Sequence, residues 1–68
     1  MKIAIEPLSG IWFDAVVFGI RFKRCRLYRG PSGLPDLRVP RYVDLPPEMF
    51  NALRRRAVEV MGDRVGGP

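Results

Sequence analysis

The segment Ile20-Arg21-Phe22-Lys23-Arg24-Cys25-Arg26-Leu27-Tyr28-Arg29 holds five of the chain's twelve basic residues and two aromatics, and reads as one β-strand. Side chains of a strand point alternately to opposite faces. Unbroken alternation puts Ile20 and Phe22 on one face with Arg24 and Arg26, and Cys25 and Leu27 on the other with Arg21 and Lys23. Charge then falls on both faces, including the one packed on the core. One extra residue near Lys23-Arg24, a β-bulge, removes the conflict. Ile20, Phe22, Cys25 and Leu27 then point inward, and Arg21, Lys23 or Arg24, Arg26 and Tyr28 point outward. Such a face suits nucleic acid, where cations replace counterions on phosphates and a ring stacks on a base. A solvated edge strand that uses charge against edge-to-edge association has the same pattern.

Working outward, the chain before this strand reads as a hairpin that pairs with it. Lys2-Ile3-Ala4-Ile5-Glu6 alternates and is ended by Pro7, which cannot donate to a ladder. Ser9-Gly10 supplies a tight turn. Ile11 to Phe18 is rich in β-branched and aromatic residues and is largely apolar on both faces, as in a central strand covered on both sides. One cover is a helix and the other a partner subunit, which predicts a homodimer formed through the sheet. Trp12 and Phe18 could form a base-stacking platform, but structural burial is the commoner role of such residues.

After the basic strand, Gly30-Pro31-Ser32-Gly33 formally matches the backbone-clamping GxxG of KH domains. That loop lies between two helices, whereas these flanks read as strands, so the segment is a hairpin connection. Leu37 to Leu45 then alternates, with Leu37, Val39, Val43 and Leu45 inward and Arg38 and Tyr42 outward. Arg41 falls on the inward parity beside Pro40, which predicts an edge strand or a bulge that re-aims it. Arg38, Arg41 and Tyr42 extend the basic-aromatic surface. Asp44-Leu45-Pro46-Pro47-Glu48 starts a helix running from about Pro47 to Met61, with Gly62 as its stop. Phe50, Leu53, Ala57 and Val60 or Met61 make its apolar stripe, and Arg55 is spaced to pair with Glu59. Arg54, Arg55 and Arg56 spread around the helix and cannot form one patch.

These elements predict an α+β fold: a four-stranded antiparallel β-meander followed by one C-terminal α-helix (ββββα). Residues 1–62 form a single domain and 63–68 a flexible tail. A domain of 68 residues buries a modest core, and with the single Cys25 no internal disulfide can staple it, which again favours a homodimer. No apolar run approaches a membrane span and no signal-peptide pattern opens the chain, so a soluble, cytoplasmic protein is expected.

The formal net charge of +5 favours polyanionic partners. Catalysis is disfavoured by what is missing. The chain has no histidine, threonine or glutamine, and its only serines are Ser9 and Ser32. The usual general base is absent, Cys25 has no imidazole to activate it, and neither serine sits in a nucleophile motif. Metal sites built on histidine or clustered cysteine are excluded, and the carboxylates are scattered. No enzyme, cofactor, metal or small-molecule substrate is expected.

The phrase Cys25-Arg26-Leu27-Tyr28-Arg29-Gly30-Pro31-Ser32-Gly33-Leu34, followed by Pro40 and a proline-led helix containing Arg56-Ala57-Val58, resembles the stage V sporulation protein G (SpoVG) family over roughly residues 13–61. The resemblance implies a small dimeric sheet-plus-helix domain that binds DNA or RNA as a regulator. The chain departs from the family after Pro40-Arg41. It passes straight into Tyr42-Val43-Asp44, where the family carries a polar, basic excursion with a further glycine.

The expected function is a small basic nucleic-acid-binding protein, preferring single strands. Arg21, Lys23, Arg24, Arg26, Arg38 and Arg41 would hold phosphates, and Tyr28 or Tyr42 would stack on bases. The alternative is a non-enzymatic interaction or accessory module of phage or mobile-element type, acting through its sheet or dimer surface.

Overall fold

A computed structural model describes residues 2–65. Four antiparallel strands, β1 (Ile3–Pro7), β2 (Trp12–Val17), β3 (Ile20–Arg29) and β4 (Pro35–Arg38), form one sheet in the order β1-β2-β3-β4. A single helix, α1 (Pro47–Met61), covers one face. This is the ββββα meander that the alternation predicts. Phe13, Ala15 and Val17 of β2, Cys25 and Leu27 of β3 and Leu37 of β4 meet Leu53, Ala57 and Met61 of α1 in the core. Ile3, Ile5 and Phe22 pack around them. Among the described residues no helix is long and apolar enough to cross a membrane.

The helix begins where proline allows it. Pro47 occupies its first turn, Phe50 donates its backbone N–H to the Pro46 carbonyl at 2.9 Å, and Glu48 sits at the positive end of the dipole. Met61 rather than Val60 completes the buried stripe. The predicted Arg55–Glu59 pair does not form. Arg56 pairs with Glu59 instead, at 2.9 Å across three residues.

Four further expectations are corrected. Ile20, expected inward, is 62% exposed, because it sits beside the Phe18-Gly19 turn at the rim of the sheet, where β4 does not reach. The fourth strand, expected over 37–45, ends at Arg38. Pro40 has no N–H to continue the ladder, and the chain turns instead, with the Val43 N–H donating to the Pro40 carbonyl at 3.0 Å. Val39 and Leu45 still reach the core from this irregular segment, which is why the sequence alternates like a strand.

Gly62, expected to stop the helix, keeps right-handed dihedrals (φ −57°, ψ −34°) and leads into a 3₁₀ turn, Gly62–Val65. Asp63 to Val65, expected in a flexible tail, are therefore packed. Val65 is only 6% exposed, and its carbonyl accepts from Arg29 at 3.2 Å. Arg64 donates to the carbonyls of Leu8 and Gly10 at 3.0 and 3.3 Å. The remainder of that expected tail, residues 66–68, lies outside the described residues.

Candidate nucleic-acid interface

The site is set by the bulge, which falls where the parity conflict places it. Phe13 pairs with Cys25 and Ala15 with Phe22, so Asp14 alone faces both Lys23 and Arg24. Arg24 takes the extra step in the left-handed region, at φ 60°. Its N–H donates to Asp14 Oδ1 at 3.0 Å, which supports a conformation that costs a non-glycine residue about 1 kcal/mol or more. Beyond the bulge the parity of β3 is reversed. Cys25 and Leu27 enter the core, and Arg26 and Tyr28 stand on the face opposite the helix.

On that face Arg26 lies between two rings. Its guanidinium carbon is 5.6 Å from the centroid of Trp12 and 5.5 Å from that of Tyr28. Both separations allow cation–π attraction, which fixes the cation without neutralising it. Its Nε is buried and has no hydrogen-bond partner among the described residues. Tyr28 is held in turn by its hydroxyl, which donates to Asp36 Oδ2 at 3.4 Å.

Arg26 opens into a concavity of about 770 Å³ that Lys23, Arg24, Arg38 and Arg41 also line. Trp12 and Tyr42 are its aromatic walls, and Val39 and Pro40 complete it. The Tyr42 hydroxyl accepts the Lys23 N–H at 3.3 Å, pinning the Pro40–Val43 turn to the edge of β3. None of the five cations forms an ion pair among the described residues. Five positive charges with no ion-pair partner among the described residues focus a positive field on one recess.

Of the eight residues that the sequence nominates, six share this concavity: Lys23, Arg24, Arg26, Arg38, Arg41 and Tyr42. Tyr28 adjoins it through Arg26. Arg21 does not belong to it. Its guanidinium binds Glu6 through both terminal nitrogens and reaches Asp14 at 3.3 Å, and the Glu6 hydrogen bond and charge raise its pKa further. Trp12, for which burial is the commoner expectation, is instead open. It is 42% exposed and lines the site, a position foreshadowed only by its sharing a strand face with Asp14. The helix cations lie apart, with Arg54 near Asp36 and Asn51.

Cys25 lies under the sheet, away from this surface. Burial pushes its thiol up to about 11, and the Asp14 charge adds to the rise. At neutral pH it is a protonated, inert core residue.

Searched against protein-family models, curated proteins and solved structures, the chain matches none. The likeness to the stage V sporulation protein G family therefore rests on the short motifs quoted above.

Proposed function

We propose that this chain is a small, non-enzymatic, cytoplasmic nucleic-acid-binding protein that takes single-stranded DNA or RNA in the concavity beside the bulge, as a regulator. The observation that carries the reading is the gathering in one recess of an exposed tryptophan and five cations that have no ion-pair partner among the described residues. Cations on a groove hold successive phosphates, and an exposed ring offers a surface to an unpaired base. A duplex keeps its base faces stacked and gives Trp12 nothing to meet. The likeness to the sporulation-protein family points the same way. A homodimer through the sheet that leaves the concavity open belongs to the same proposal and is tested by sedimentation equilibrium.

Fluorescence anisotropy with labelled single- and double-stranded oligonucleotides, at low and moderate salt, tests the reading. If all five cations meet phosphates, log K should fall against log salt with a slope of about −3.5, taking roughly 0.7 per contact on single strands. No binding at low salt would overturn it.

A protein-contact reading rests on other residues. At the β2–β3 turn Phe18 is 61% exposed and, at φ 51°, left-handed, and Ile20 beside it is also exposed. An interface built on them would be largely insensitive to salt.

A further inference from the structure

A second, smaller recess of about 280 Å³ adjoins the cationic concavity and shares two of its residues, Trp12 and Arg24. Its other lining is Leu8 and Ser9, from the turn between β1 and β2. That turn is fixed by its backbone. The Leu8 N–H donates to the Trp12 carbonyl at 2.9 Å and the Trp12 N–H to the Ser9 carbonyl at 3.1 Å. Arg64 holds the same turn from below through the Leu8 and Gly10 carbonyls. Leu8, at 45% exposed, and the half-exposed indole are thus presented on a rigid support rather than left on a loose loop.

The two recesses differ in chemistry and meet at one cation. The larger is ringed by positive charge, and the smaller is walled by an aliphatic and an aromatic side chain with Arg24 at its border. A nucleotide unit has the same division, a flat base with apolar faces joined through a sugar to an anion. A phosphate held by Arg24 in the concavity leaves its own base at the mouth of the Leu8–Trp12 recess. We infer that this recess is a base pocket. It takes one unstacked nucleobase against the Trp12 indole and Leu8, while the neighbouring phosphates lie along the cations. Arg26 packs on Trp12 and serves as the fixed backing of the stack. The assignment rests on the nucleic-acid reading above and adds to it the recess that receives the base, with Leu8 as its second wall and Arg24 at its border.

Trp12 is the only tryptophan, so emission excited at its red edge, away from the two tyrosines, reports on the indole that this recess shares with the concavity. The experiment compares labelled oligothymidylate with a strand of equal length whose sugars carry no bases. Binding is followed by anisotropy of the label, and the recess by Trp12 emission. The base-bearing strand should bind roughly tenfold or more tightly than the abasic one and quench Trp12. The abasic strand should show a similar salt slope and leave the emission unchanged. Leu8→Ser, an exposed substitution, should narrow the affinity gap by weakening only the base-bearing strand. Equal affinities with no quenching by either strand would overturn the base pocket and leave phosphate binding intact. Failure of both strands to bind at low salt would overturn the nucleic-acid reading and the pocket with it.

Discussion

The two halves of β3 have nearly the same composition and opposite uses. Before the bulge, Arg21 stands opposite Val16 of β2, and the next strand over presents Glu6 opposite Asp14. Two carboxylates directly across a strand pair repel, and Arg21 lies between them and binds both. Its charge is consumed in holding the sheet together. After the bulge, Arg26 stands opposite Trp12 on one side and Arg38 on the other. β1 has already ended at Pro7, opposite Phe13, so no strand delivers a carboxylate to Arg26. What makes a cation available for a ligand is thus the register of its neighbours, not its place in a basic run.

The heaviest blow to that contrast is charge reversal on the far side of the bulge. Arg24→Glu with Arg26→Glu should weaken single-strand binding roughly a hundredfold or more at low salt. The salt slope should flatten by about 1.4, since two phosphate contacts are lost. Anisotropy titrations at three or more salt concentrations measure both. Retained affinity would mean that the two halves do not differ in function.

Next in size is the hinge between the halves. Asp14→Ala removes the acceptor for the Arg24 N–H and one partner of Arg21, and should cost about 1–2 kcal/mol in a urea titration. The opposite sign is expected at Arg24 itself. A glycine there adopts φ 60° without the penalty a side chain incurs, so Arg24→Gly should raise stability by about 0.5–1 kcal/mol. The same variant should bind more weakly, with a slope shallower by about 0.7. A variant that is firmer and binds worse would separate the bulge's geometric role from its charge.

Much of this was legible in the sequence. Period-two alternation and the stripe of Leu53 and Ala57 specify four strands and a helix, and the bulge follows from cations that cannot enter a core. Six of the eight nominated residues converge because outward parity on β3 and closeness in the chain bring them together. Three things were not legible. Val39 and Leu45 reach the core from a turn, and alternation cannot distinguish that from a strand. Trp12 lies on an apolar-looking face, and periodicity does not tell which cover, if any, lies over it. The pairing of Arg21 was hidden because its partner Glu6 lies fifteen residues away on β1, two strands across, and only the strand order brings them together.

The smallest expected effect tests the near half of β3. Arg21→Gln keeps a side chain of similar reach and removes the charge between Glu6 and Asp14. If Arg21 serves only those carboxylates, oligonucleotide affinity should change less than about twofold and the salt slope should not move, because no phosphate contact is lost. Stability should fall instead, since the opposed carboxylates are left facing each other. That loss should be larger at low salt than at high salt, because screening weakens the repulsion it exposes. Thermal melts at two salt concentrations, run beside the binding titrations, separate the outcomes. A shallower salt slope would put Arg21 on the ligand. A lowered melting temperature with unchanged binding would mean that Arg21 serves the sheet alone, as its place between Glu6 and Asp14 implies.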